Sequence, residues 1–159
     1  MKRPAISPIR TAETAADFGA ARTLFEEYAA WLAVDLCFQG FAEELATLPG
    51  AYSPPRGMLM LAGPRDAVAG CIALRPLGAD VGEVKRLYVR PLARGTGLGR
   101  RLVNTVIDGA RAIGYRELKL DTLARMAEAR ALYVELGFRE CAAYYHNPIP
   151  GAVYMSLPL

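Results

Sequence analysis

The sequence predicts a mixed α/β fold, a mostly antiparallel mixed sheet of six to seven strands flanked by about four helices. Three observations predict it. Apolar residues recur at helical spacing in four segments and as strand-like runs in seven others. Short Gly-, Pro- and Asp-containing turns join the central runs, as in antiparallel hairpins. The chain is 53% apolar and 22% charged, which suits a soluble globular core. Its 159 residues fit one domain, 1–159, with no repeat, low-complexity tract or linker to divide them.

AISPIR (5–10) opens the sheet as a short edge strand. Residues 14–34 read as a helix, because Phe18, Ala21, Leu24, Phe25, Tyr28 and Leu32 recur on one side. A shorter helix is expected over 40–48, with Phe41, Leu45 and Leu48 inward and Pro49-Gly50 as its stop. Between the two, DLCFQGF (35–41) is an apolar-rich junction. After the turn AYSPPRG come three strand-like runs, MLMLA (58–62), VAGCIALRPL (68–77) and GEVKRLYV (82–89). From Gly97 the period changes: Leu98, Leu102, Val103, Val106, Ile107, Ala110 and Ile113 form one helical stripe, ended by Gly114. ELKLDT (117–122) is the next strand, and 125–136 the next helix, closed by Gly137. FRECAAYY (138–145) and AVYMSL (152–157) read as a final pair of strands.

Composition narrows the function. MKRPAISPIR holds no apolar segment of export-signal length, so no such signal is expected. The longest nearly apolar stretch, YAAWLAVDLCF (28–38), is broken by Asp35 and too short to span a membrane. Cys37, Cys71 and Cys141 show neither disulfide nor metal spacing, which favours a reducing, cytoplasmic setting. Cys71 and Cys141 stand in apolar strands, an unfavourable place for a covalent nucleophile. No metal site and no Ser/His/Asp or Cys/His set emerges. A net charge of +3 does not by itself imply nucleic acid. From Lys85 to Arg101, however, Lys85, Arg86, Arg90, Arg94, Arg100 and Arg101 occur with no acid between them. That run reads as a solvated basic face or as a polyanion site; without exposed aromatic platforms it does not suit nucleic acid.

Within that run stands RGTGLGRR (94–101), between a strand and a helix. Glycines permit positive φ and close approach to the backbone. The free N–H groups of the helix that follows can hold an anion, assisted by the helix dipole. Flanking arginines add charge-assisted bonds to phosphate oxygens. The nucleoside triphosphate loop is excluded because no Lys-Ser/Thr pair follows, and the dinucleotide fingerprint because the last glycine spacing differs.

Arg94-Gly95-Thr96-Gly97-Leu98-Gly99 resembles the Arg/Gln-x-x-Gly-x-Gly/Ala signature of the GNAT acyltransferase superfamily, which binds acyl-coenzyme A. EVKRLYVRP upstream and ALYVELGF (131–138) downstream extend the resemblance over residues 82–140. The resemblance implies acetyl-CoA as cosubstrate, with no metal. Backbone amides from Arg94 through Gly95, Thr96, Gly97, Leu98 and Gly99 to Arg100 would hold the pyrophosphate, the Arg94 and Arg100 side chains reinforcing them. Main-chain groups of Leu87, Tyr88 and Val89 would pair with the pantetheine arm. Arg101 or Arg139 would meet the 3′-phosphate.

By the same resemblance Tyr133 is the general acid for the departing thiolate, and Val89 N–H an oxyanion donor. Met126, Ala129, Tyr133 and Leu136 share one helix face, so Tyr133 should point towards the sheet. Glu83 is the expected water-mediated base, on a strand where Glu83, Lys85, Leu87 and Val89 alternate onto one face; the other reading makes it a surface partner of Lys85 or Arg86. Met126 stands where relatives often carry Asn, and Asp121 and Thr122 are expected to cap the following helix. The acceptor site is expected from Asp35, Phe38, Gln39 and Phe41 together with Tyr144 and Tyr145, and His146 reads either as a further lining residue or, as a lone loop histidine more often is, as a surface residue.

The function expected is direct transfer of acetyl from acetyl-CoA to a primary amine of a small molecule, without an acyl-enzyme. Alternatives are a non-catalytic acyl-CoA-binding or sensing module, and acetylation of a protein N-terminus or lysine. AVYMSLPL reads either as a closing strand of the monomer or as an interface strand of a homodimer. No nucleic-acid or membrane partner is expected.

Overall fold

The first helix starts at a reciprocal cap. In the computed structural model, which describes residues 7–159, Thr14 Oγ1 accepts from the Asp17 N–H at 3.1 Å, and Asp17 Oδ2 accepts from the Thr14 N–H at 3.2 Å. Two orphan donors are thereby satisfied. The helix α1 (Ala15–Leu32) runs on to a left-handed Ala33. It is preceded by β1 (Ile9–Thr11), so the expected first strand begins later than proposed; residues 5 and 6 lie outside the described part. A one-turn 3₁₀ segment, Cys37–Gln39, leads to α2 (Phe41–Ala46).

β2 (Met58–Ala62), β3 (Gly70–Pro76) and β4 (Val81–Val89) form an antiparallel meander. Then follow α3 (Leu98–Ile113), β5 (Glu117–Leu123), α4 (Ala127–Glu135), β6 (Arg139–Glu140) and β7 (Ala152–Pro158). The seven strands form one sheet in the order β1-β2-β3-β4-β5-β7-β6, antiparallel except for β4 and β5. Among the described residues no helix is long and apolar enough to cross a membrane.

The sheet buries both faces. Ile72, Leu74 and Val84 pack with Leu102, Val103 and Val106 of α3, whose apolar stripe falls where the sequence places it. Leu59, Leu61, Cys71 and Ala73 pack on the other face with Leu24 and Phe25 of α1.

Two irregularities shape the centre. The β3–β4 register is regular from Gly82 to Lys85 and again at Tyr88 and Val89, but shifts between Cys71 and Ala73. One β3 residue, Ile72, there faces two on β4, Arg86 and Leu87, and Arg86 has φ 61. This bulge inverts the alternation. Glu83 and Lys85 lie opposite Arg75 and Ala73 on the α1 face, whereas Leu87 and Val89 pack on the α3 side and Tyr88 joins the α1 side. The expectation that Glu83, Lys85, Leu87 and Val89 share a face is therefore corrected. Secondly, β4 pairs with β5 only through Val81, Gly82 and Glu83, and the pairing ends there. The remainder of β4 leaves a cleft beside β5.

FRECAAYY is mostly not a strand. Only Arg139 and Glu140 pair with β7; beyond them the chain loops out, because Tyr144 and Tyr145 direct their hydroxyls to Glu83 and Asp121. Tyr154 of β7 closes the loop, donating to the Tyr145 carbonyl at 2.8 Å and accepting from the Asn147 N–H at 3.0 Å. Asp121 and Thr122 do not cap α4: both belong to β5, and the cap position Met126 makes no side-chain bond.

Asp17 is 3% exposed. The Glu13 N–H, and after it Arg10, hold its carboxyl well below the ordinary carboxylate value against the opposing effect of burial. A depressed folded-state pKa contributes stability above the unfolded value, about 4, and that contribution is lost as pH falls through the folded value. Asp17→Asn should thus cost about 2 kcal/mol at pH 7. In thermal melts, the difference from wild type should shrink below about pH 4.

Candidate active site

β4 brings the chemistry together because its bulge sends neighbouring residues to different surroundings. Lys85 and Arg86 are buried, at 5% and 4% exposure, and both donate to Gln39 Oε1, at 3.1 and 2.8 Å. Arg86 also donates twice to Glu44, at 2.8 Å each, and stacks on Phe41. The basic run is therefore divided rather than one surface. Arg90 pairs with Glu27. Only Arg94, Arg100 and Arg101 stand beside the glycine loop.

The cleft between β4 and β5 is lined by Val84 to Leu87 on one side and Asp121 to Leu123 on the other. Met126, Ala129 and Tyr133 of α4 form a third wall, as the helix-face reading requires. Tyr28, Leu32, Val34, Leu36, Phe38 and Gln39 cover it from α1 and its following turn, and Asn147 and Ile149 from the late loop. Tyr133 packs edge-on to Phe138 at 5.6 Å. Burial pushes its phenol well above the ordinary tyrosine value, followed by the charges of Tyr28 and Asp121, and no hydrogen bond contributes. It is thus a protonated hydroxyl at the cleft wall.

Glu83 is 1% exposed and absent from the cleft lining. Its Oε1 accepts from Arg75 Nε at 2.7 Å and its Oε2 from the Tyr144 hydroxyl at 2.7 Å. It is not a surface charge. Of the expected acceptor residues, Phe38 and Gln39 line the cleft. Asp35 instead holds the turn, accepting from the Cys37 N–H at 2.9 Å, and Phe41 lies under Arg86. Tyr144 and Tyr145 stand one layer behind, tilted against each other and each edge-on to Tyr154. Burial first, then the neighbouring carboxylates, push both phenols up, so both serve as donors, Tyr144 to Glu83 and Tyr145 to Asp121. His146 is exposed. Sequence reasoning missed Lys85, Asn147 and Asp121 as cleft residues. For Lys85 the signal was its place on an apolar strand, where a charge requires a partner.

The glycine loop presents what an anion needs. Gly95 and Gly97 have φ of 75 and 82, open to glycine and strained for other residues. Gly97 is the N-cap of α3, with no side-chain cap bond and no acid in the first turn. The helix-end amides are therefore unclaimed by side chains. Leu98, 3% exposed, anchors the loop in the core. Arg94 donates to the Val89 carbonyl at 2.9 Å and stacks over Trp31 and Tyr88 at 4.8 and 5.8 Å. Arg100 pairs with Glu135, and Arg101 donates to the Ser7 carbonyl at 2.8 Å. Arg139 donates to the Phe138 carbonyl at 2.9 Å. These residues fit a pyrophosphate held by backbone amides. Among the described residues no group of three or more His, Cys, Asp or Glu is placed to hold a metal.

The acetyltransferase (GNAT) family model matches residues 22–138, which include β4, the glycine loop and Tyr133. The chain belongs to the GNAT family. It is similar to an uncharacterized N-acetyltransferase of Schizosaccharomyces pombe, 38% identical over all of this chain and 99% of the relative. An acetyltransferase structure from Streptococcus agalactiae superposes with a TM-score of 0.81 at 21% identity, over 98% of this chain and 100% of that one. A GNAT family acetyltransferase from Elizabethkingia anophelis, solved with acetyl-CoA bound, gives 0.56 at 26% identity over 65% and 76%. This GNAT chain is accordingly an acyltransferase of the N-acetyltransferase type, and the seven-stranded sheet with four helices is the family's fold.

Gly97→Ala places a Cβ in open space, so only backbone strain opposes it, about 1 kcal/mol. Relief of that strain by a shifted loop should weaken acetyl-CoA about fivefold by calorimetry, with the fold retained.

Proposed function

We propose that this GNAT chain transfers an acetyl group from acetyl-CoA directly to the primary amine of a small molecule, in a ternary complex. The observation that carries the reading is the cleft itself. Diverging strands, a protonated Tyr133 and a cover from the α1–α2 turn meet at one place, and β4 runs from it towards the glycine loop. Bound acetyl-CoA would supply the acetyl thioester, held by the amides of residues 94–100 and along Leu87 to Val89.

The chain's own residues bind, orient and move protons. Bringing both reactants together supplies much of the rate, since effective molarities reach about 10⁵–10⁸ M in favourable cases. Tyr133 offers a proton at the cleft wall for the leaving group. Glu83, behind Tyr144 and Lys85, acts on the acceptor's proton only through the charge it sets beside Lys85. No serine or cysteine lines the cleft, and Cys71 is buried with its thiol pushed up by desolvation, which supports direct transfer over an acyl-enzyme. The apolar cover, Leu32, Val34, Leu36 and Phe38, favours an enclosed small amine over a protein segment.

A panel of small primary amines with acetyl-CoA, followed by free thiol release, tests the reading. Turnover is expected on at least one amine, and Tyr133→Phe should lower kcat about 10²-fold or more while acetyl-CoA still binds. Tight cofactor binding with no turnover on any amine would favour a sensing module. Turnover confined to peptides would favour a protein acceptor.

A further inference from the structure

Glu83, the position given to a base by family resemblance, is closed off from the cleft by its own partners. Lys85 stands between. Its side chain is 3% exposed and lines the cleft, and its hydrogen bond goes to Gln39 Oε1 at 3.1 Å. Glu83 Oε2 and Asp121 Oδ1 lie 4.0 and 3.9 Å from Nζ, close enough to feel its charge but beyond hydrogen bonding. Asp121 is the one carboxylate among the residues lining the cleft. Its Oδ2 is taken by the Tyr145 hydroxyl and by Asn147 Nδ2 at 2.9 Å, while Oδ1 faces Lys85.

The charges around this point balance. Arg75, Lys85 and Arg86 are three cations, and Glu44, Glu83 and Asp121 are three anions, linked by the contacts described. An acceptor amine near its ordinary pKa arrives at neutral pH as an ammonium ion, a fourth cation. Accommodating it in a buried cluster requires one proton to leave. The arginines do not release theirs. A lysine can, and burial lowers the pKa of Lys85, the pull of Glu83 and Asp121 opposing that shift.

Resting on the acetyl-transfer reading, we propose that Lys85 is the proton-exchanging residue of the acceptor site, taking a proton from the acceptor's ammonium group held beside Asp121. The step balances within itself. Lys85, charged in the resting cluster, releases its proton to solvent as the ammonium enters; its lone pair then forms a new N–H bond as one N–H bond of the ammonium breaks. Lysine becomes an ammonium and the acceptor a free amine, whose lone pair is the nucleophile that acyl transfer requires. Lys85 is thereby restored to its charged resting state, and it releases that proton again only when the next ammonium enters. Glu83 and Asp121 stabilise the charged lysine between these events, and Gln39 holds Nζ in place.

Two variants and one spectroscopic measurement test this. Lys85→Arg keeps a cation within reach of Gln39 but holds its proton; Lys85→Met removes the charge. Each should fold and bind acetyl-CoA as wild type does by calorimetry, and lose at least about 10²-fold in kcat/KM on the best amine of the panel. The rise of wild-type activity with pH should be absent from Lys85→Arg. The chain has three lysines, Lys2, Lys85 and Lys119. In ¹³Cε-lysine NMR of the wild type, the resonance missing from Lys85→Arg should titrate at lower pH than the other two. Wild-type kcat/KM and pH profile in Lys85→Arg would overturn the proposal, as would a Lys85 resonance that titrates with the others. Should Lys85→Met not fold, Lys85→Arg and the NMR titration still decide. A wild type inactive on every amine overturns the acetyl-transfer reading and this proposal with it, whereas an active wild type with an equally active Lys85→Arg overturns this proposal alone.

Discussion

The arrangement of this site depends on the bulge at Arg86. A non-glycine residue with positive φ is costly, about 1–3 kcal/mol, and here the cost falls in the middle of the longest strand. What holds it is a set of charge-assisted bonds: Glu44 receives the guanidinium at both oxygens and Gln39 at a third point, over the Phe41 ring. Such bonds contribute roughly 1.5–3 kcal/mol each when well formed, enough to offset the strain. α2 and the preceding turn are therefore more than a cover. They clamp the irregularity that lets one strand serve two faces.

From that clamp the rest follows. Before the bulge, β4 turns Glu83 and Lys85 to the α1 face, where carboxylates and hydroxyls from β5 and the late loop meet them. After it, β4 turns Leu87 and Val89 to α3 and continues towards the glycine loop. The end of β4–β5 pairing at Glu83 opens the space between. Apolar walls around a charge-balanced floor make a place where a proton's position matters, since electrostatic interactions strengthen as water is excluded.

Much of this architecture was legible in the sequence. The α3 stripe from Leu98 to Ile113, the three-strand meander and the placement of Tyr133 on the inner face of α4 all follow from apolar periodicity and turn chemistry. The glycine loop was legible because its glycines and arginines fall within one consecutive run of residues. The floor of the cleft was not. Its partners are 42 to 61 residues apart in Arg86–Glu44, Lys85–Gln39 and Tyr144–Glu83, and periodicity carries no such pairings. The bulge was hidden for a related reason: an alternating pattern is read as continuous until a cross-strand partner reveals the extra residue. Residues 141–145 read as strand because tyrosines favour strands, while here Tyr144 and Tyr145 are drawn out by buried carboxylates.

Arg94 lies over the ring of Trp31, and Trp31 is the chain's sole tryptophan. A guanidinium held on the face of an indole perturbs the light that indole emits. Anything that draws Arg94 forward onto the glycine loop must withdraw it from that ring. The emission of Trp31, half-exposed at the end of α1, therefore reports where Arg94 lies, with no added dye.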